Sequence, residues 1–206
     1  MGAIIEGLGT QIITITGVKK LHGCDYTIIG DRIEAATFLA IGAISEGDGV
    51  TVTNIDPSHL IEVTNTLKKM GHSITITSDS ITINKGPNLS PVDIITKPYP
   101  GLPTDLNPIF AVLLSQIPGE SSIQETVFLN RTSHINELNK MGAKLQVSNQ
   151  TTIISGITEL KCNLLEAKDL RCAAALLIAS LLSRCTTTID NVEYLLRGYE
   201  KPIEKL

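Results

Sequence analysis

The sequence predicts an α/β (α+β) fold assembled from three copies of one unit, with helices inside and mixed four-stranded sheets outside. All three methionines, Met1, Met70 and Met141, are followed by glycine at spacings of 69 and 71 residues, a pitch that signals internal repetition. A pair of alternating apolar and polar segments follows each Met-Gly, and an aspartate opens an apolar stretch later in each copy. With 42% hydrophobic and 18% charged residues the chain can build a core, and with three Phe, four Tyr and no Trp that core must be aliphatic.

Each Met-Gly leads into a hairpin. Ala3-Ile4-Ile5-Glu6 precedes Ile12-Ile13-Thr14-Ile15, Ser73-Ile74-Thr75-Ile76 precedes Ser80-Ile81-Thr82-Ile83, and Lys144-Leu145-Gln146-Val147 precedes Thr152-Ile153-Ile154. Their period of two predicts strands in one shared register. The glycines of Gly7-Leu8-Gly9 suit the first bend; a phosphate loop would need a helix next, and Gln11 to Ile15 reads as strand.

Asp31, Asp105 and Asp169 then stand before apolar helices at 33–39, 109–114 and 173–178, where a carboxylate caps orphan amides and suits the helix dipole. A short strand follows each helix, at 49–52, 121–124 and 186–189. A second helix follows at 59–70, 133–141 and 199–206, the first of these opened by Asp56-Pro57. The glycine after Met70 or Met141 ends that helix in the left-handed conformation.

The copies are incomplete at both ends in a complementary way. The first is only a hairpin, and the third stops at Leu206 where its own Met-Gly turn should begin. The hairpin within 1–29 is therefore expected to complete the third unit, within the chain or by exchange in a dimer. Residues 30–206 form the domain proper, with units at 31–85, 104–157 and 169–206.

Charge narrows the function. Seventeen Lys+Arg against 21 Asp+Glu leave a net charge of -4, which argues against a nucleic-acid surface. The longest apolar run, 172–182 broken by Ser180, fits a buried helix rather than a membrane span. No basic stretch precedes an apolar one at the start, so a cytoplasmic protein is expected. Cys24, Cys162, Cys172 and Cys185 lack CxxC or Cys/His spacing and read as reduced structural thiols. His22, His59, His72 and His134 show no metal-ligand pattern and read as structural or surface residues. No metal and no cofactor are implied.

One series of motifs is more specific. His22-Gly23-Cys24, Asp31-Arg32-Ile33-Glu34, Pro100-Gly101-Leu102-Pro103-Thr104-Asp105, Glu125-Thr126-Val127-Phe128, Asn130-Arg131, Asp169-Leu170-Arg171 and Arg197-Gly198-Tyr199-Glu200 occur in this order. Together they resemble the UDP-N-acetylglucosamine enolpyruvyl transferase family, over this whole chain but only the C-terminal half of a full member. The resemblance implies an inside-out α/β barrel domain of βαβαββ units, as in 5-enolpyruvylshikimate-3-phosphate synthase, and makes the hairpin within 1–29 equivalent to the end of the family's other domain. It also implies transfer of enolpyruvyl from phosphoenolpyruvate to the 3'-hydroxyl of UDP-N-acetylglucosamine, a step of peptidoglycan synthesis.

By the same resemblance, Asp105 takes the proton of the sugar hydroxyl, a task suited to a carboxylate in a dry cleft. Val127 corresponds to a backbone contact with the nucleotide sugar. Arg131, Arg171 and Arg197 face the cleft, Arg197 against phosphoenolpyruvate, and guanidinium suits planar carboxylate or phosphate. The family's Lys-Asn pair and its mobile acid-bearing loop have no counterpart in these 206 residues. The expected role is thus a substrate-binding half, inactive alone, either a fragment of a longer enzyme or one piece of a split enzyme partnered by a separate N-terminal half; the alternative is a non-catalytic relative acting as a binding or regulatory module.

Overall fold

A computed structural model describes all 206 residues. Strands β1 (Ile4–Glu6) and β2 (Thr14–Thr16) pair antiparallel with Ile5 opposite Ile15, and they form a sheet of their own. Every residue from 1 to 29 is exposed.

The first unit opens with α1 (Arg32–Ile44), whose first turn is capped by Asp31 accepting from the Ile33 amide at 2.7 Å. Then come β3 (Val50–Thr53), a 3-10 turn at Pro57–Leu60 capped by Asp56, and α2 (Ile61–Lys69). Strands β4 (Ser73–Ile76) and β5 (Ser80–Asn84) close it, in the order β3-β5-β4. Ile81 and Ile83 alternate inward and are fully buried. Gly71 sits at φ +103° between α2 and β4, with the backbone of Asn88 where a Cβ would be, so only glycine fits.

The second unit is complete. It contains β6 (Asp93–Ile95), a 3-10 turn at Thr104–Leu106, α3 (Asn107–Ser115), β7 (Gly119–Gln124), α4 (Ser133–Lys140), β8 (Leu145–Ser148) and β9 (Thr151–Gly156). Its sheet runs β6-β7-β9-β8, with β6 parallel to β7 and the other pairs antiparallel. The third unit has β10 (Leu164–Glu166), α5 (Leu170–Leu182) and β11 (Thr188–Asp190), with β10 parallel to β11.

The inner helices α1, α3 and α5 pack on one another, and every residue of α3 is buried. Alanines make this possible: Ala35, Ala36, Ala40 and Ala43 of α1 and Ala173, Ala174, Ala175 and Ala179 of α5 are buried and let the backbones approach. One apolar cluster runs through all three units.

Four expectations need correction. The sheets have three, four and two strands, so only the second unit is four-stranded. The opening strands β6 and β10 escaped the sequence reading because three residues are too few for a period to register. The third unit has no helix at 199–206. Val192–Arg197 forms a 3-10 turn instead, Lys201 is left-handed at φ 47°, and Pro202 pushes its predecessor out of the helical region with only four residues left to follow. Finally, Cys162 and Cys185 are joined as a disulfide with Cα atoms 5.7 Å apart, because parallel pairing of β10 and β11 brings together the residues that precede each strand. In a reducing compartment the pair would stand as two adjacent thiols. Cys24 and Cys172 are free.

Candidate active site

Asp105, Arg131, Arg171 and Asp169 gather around the N-terminal ends of α3 and α5. Asp169 caps α5, accepting from the amides of Arg171 and Cys172 at 2.9 Å and from the Ser133 hydroxyl at 2.5 Å. Asp105 behaves differently. It lies inside the 3-10 turn before α3, where neither that turn nor the helix has a side-chain cap, so the capping role expected of it is not observed.

Released from capping, the Asp105 carboxylate turns to two arginines. Its Oδ1 lies 3.1 Å from Nη2 of Arg131 and 3.3 Å from Nε of Arg171. Arg131 also donates from Nε to the Thr104 hydroxyl at 3.0 Å and stacks its guanidinium carbon 4.9 Å from the Phe128 ring centroid. The Asp105 side chain is 34% exposed, against 13% for Arg131 and 18% for Arg171. Two arginines thus flank one accessible carboxylate, an arrangement suited to an anionic ligand with a hydroxyl to deprotonate.

The other two candidates are placed differently. Val127 is exposed on the loop after β7; its amide is committed to Glu125 Oε1 at 2.9 Å, while its carbonyl accepts no hydrogen bond. The carbonyl is the backbone group it can offer a ligand. Arg197 ends the 192–197 turn, is exposed, makes no ion pair and stands outside the Asp105 cluster.

Four further residues support the site. Burial pushes the Glu125 carboxyl up, but donors from Asn107, Phe128, Thr96 and Val127 hold it below the usual glutamate range. Asp169 is likewise raised by burial and lowered further by Ser133, by its two capping amides and by the Arg131 charge. Tyr199 is buried with its hydroxyl 2.8 Å from that of Thr37, and burial raises its pKa. His134 is fully buried with neither ring nitrogen partnered. Glu125 and Tyr199 lay within the motifs quoted above, but which of their atoms mattered depended on contacts across units.

His134 makes stability pH-dependent. Burial lowers its pKa to about 3, against an attraction to Asp169. The unfolded histidine takes up a proton below its ordinary 6.5, whereas the folded one resists until about pH 3, so protons favour the unfolded chain across that window. Stability should fall between pH 7 and pH 5 by about 2 kcal/mol from this residue, lost progressively as the pH drops. His72, lowered to about 4 by burial and by Lys85, adds in the same direction. Urea midpoints at the two pH values measure this; His134→Leu should flatten the slope, and an unchanged slope in that variant would refute the assignment.

The family model for EPSP synthase (3-phosphoshikimate 1-carboxyvinyltransferase) matches residues 1–206. The chain belongs to this family. UDP-N-acetylglucosamine 1-carboxyvinyltransferase 2 of Listeria monocytogenes serovar 1/2a is 47% identical over 206 residues, all of this chain and 48% of that protein. UDP-N-acetylglucosamine 1-carboxyvinyltransferase of Deinococcus radiodurans is 46% identical over 207 residues, again 100% and 48%. The crystal structure of the enolpyruvyl transferase NikO from Streptomyces tendae superimposes with a TM-score of 0.87 at 29% identity, covering 100% of this chain and 49% of that one. EPSP synthase from Acinetobacter baumannii shares the fold at a TM-score of 0.63 and 20% identity, over 85% of this chain and 44% of that one. The chain therefore spans about half the length of the curated relatives it matches, aligned with their C-terminal half. The enolpyruvyl transferase fold expected from the sequence motifs is the one observed. No helix is long and apolar enough to cross a membrane.

Proposed function

We propose that this chain is the substrate-binding half of a UDP-N-acetylglucosamine enolpyruvyl transferase, a cytoplasmic enzyme of peptidoglycan synthesis, and that it is inactive without the family's N-terminal half. The observation that carries this is the accessible Asp105 carboxylate clasped by Arg131 and Arg171, in a chain 47% identical to a UDP-N-acetylglucosamine 1-carboxyvinyltransferase. In the reaction, the sugar 3'-oxygen bonds to C2 of phosphoenolpyruvate while Asp105 accepts the hydroxyl proton. An acid of the other half protonates C3. Loss of a C3 proton then expels phosphate and leaves the enolpyruvyl ether. Arg131 and Arg171 hold the anionic groups during the addition, and Arg197 joins them on the phosphoenolpyruvate side. The Val127 carbonyl meets the nucleotide sugar.

Half a cleft leaves its ligand largely solvated, so affinity for UDP-N-acetylglucosamine alone should be millimolar, about 4 kcal/mol. Chemical-shift titration should perturb 104–106 and 126–128. Saturable shifts centred on β1–β2 instead would overturn this reading.

The hairpin has a role in the same assembly. Met70 and Met141 are fully buried, whereas Met1 is 60% exposed; the inner-strand isoleucines Ile83 and Ile154 are fully buried, whereas their counterpart Ile15 is 68% exposed. A surface with that pattern fits the free edge of β11, which lacks the hairpin that β3 and β7 each have. The occupant we assign is β11 of a second copy, each hairpin crossing to the other chain. Light scattering should show a dimer that Ile5→Asp with Ile15→Asp dissociates. A monomer at all concentrations would refute the exchange, and association only with an N-terminal half would transfer the surface to that partner.

A further inference from the structure

We infer that Glu125 is a positioning residue, shaping the loop that carries Val127 and, through Phe128, setting where Arg131 meets Asp105. The inference rests on the proposed function, since it assigns what orients that site.

Glu125 is 4% exposed, yet no cation touches its carboxylate. Oε1 accepts from the Thr96 hydroxyl at 2.7 Å and from the amides of Val127 and Phe128 at 2.9 Å each. Oε2 accepts from the side-chain amide of Asn107 at 2.9 Å. The donors belong to three separate pieces of the fold: Thr96 just beyond β6, Asn107 at the start of α3 directly after the Asp105 turn, and the loop after β7. Thr96 binds the loop a second time, its hydroxyl oxygen accepting from the Thr126 amide at 3.0 Å. One carboxylate therefore ties the nucleotide-sugar loop to the segment that presents Asp105.

A buried anion compensated only by neutral donors is a costly way to stabilise a fold, and apolar residues of similar volume commonly do as well. Its yield is orientation. With the Val127 amide held inward, the Val127 carbonyl is left unpaired, and with the Phe128 amide held, the Phe128 ring sits against the guanidinium that grips Asp105. Without the carboxylate, two part-buried amides lose their only protein partner, and the loop is freed to move.

Glu125→Gln and Glu125→Ala separate this role from plain stability. Glutamine keeps an oxygen for both amides, and Asn107 can flip so that its Oδ1, buried and unpartnered in the structure, accepts from the new amide group. UDP-N-acetylglucosamine titration of the whole chain should weaken by about tenfold or more in Glu125→Ala and by no more than about threefold in Glu125→Gln. Glu137→Ala is the control. That carboxylate is equally buried and holds Lys140 and the Glu166 amide away from the site, so its loss should lower stability but not affinity. Hydrogen exchange at the Val127 and Phe128 amides of the ligand-free protein should be slow in wild type and Glu125→Gln and fast in Glu125→Ala. Unchanged exchange in Glu125→Ala, or an equal loss of affinity in Glu137→Ala, would overturn the positioning role. Failure of the wild type to bind the nucleotide sugar, with the exchange pattern as expected, would instead sink the proposed function and leave Glu125 as the organiser of this loop.

Discussion

Asp105→Asn is expected to lower turnover by about a hundredfold to ten-thousandfold when this chain is combined with the N-terminal half of a relative, the range typical of losing a general base. Asparagine keeps the shape and the contacts to Arg131 and Arg171 but cannot take the hydroxyl proton, so the loss should fall on kcat more than on substrate affinity. The chain alone should release no phosphate above background from phosphoenolpyruvate and UDP-N-acetylglucosamine, because the proposed function assigns the acid for C3 to the other half. Phosphate release by the isolated chain that Asp105→Asn abolishes would show that the half is sufficient. No release even with the other half present, from a mixture that binds both substrates, would favour a non-catalytic binding or regulatory module.

Phe110→Ala should be the most damaging single truncation for stability. Phe110 is 2% exposed on a helix with no residue at the surface, among inner helices whose alanine-rich contacts leave little slack to collapse into the space. Large-to-small changes at such sites cost about 3–5 kcal/mol, a large part of the roughly 5–15 kcal/mol that stabilises a domain. Tyr26→Ala, at a ring 76% exposed, should stay within about 0.5 kcal/mol. Urea midpoints at constant m-value compare them, and a Phe110→Ala loss as small as that of Tyr26→Ala would mean that α3 is not the centre of the core.

Much of the architecture was legible because it is local and repeated. Alternation at 73–76 and 80–83 and at 144–147 and 152–154 specified strands and their inward faces, the acidic caps at Asp31 and Asp169 marked helix starts, and the glycines after Met70 and Met141 marked helix ends. Local signals also misled. Asp105 has the same sequence setting as the two capping aspartates, yet a 3-10 turn displaces it from the helix end and leaves its carboxylate to the arginines.

The sequence by itself determined the repeat, the aliphatic core, the inner helices and the family motifs that name Asp105, Val127, Arg131, Arg171 and Arg197, since each is written in periods or short strings of neighbouring residues. Only the tertiary structure decided which of these meet. Arg131 and Arg171 reach Asp105 from 26 and 66 positions away, Glu125 gathers donors from three elements, and Arg197 remains outside the cluster. It also decided that β10 and β11 lack a covering hairpin while β1 and β2 lack a bed. Side-chain direction across packed units is set by helix packing and strand register, which no single stretch of sequence contains.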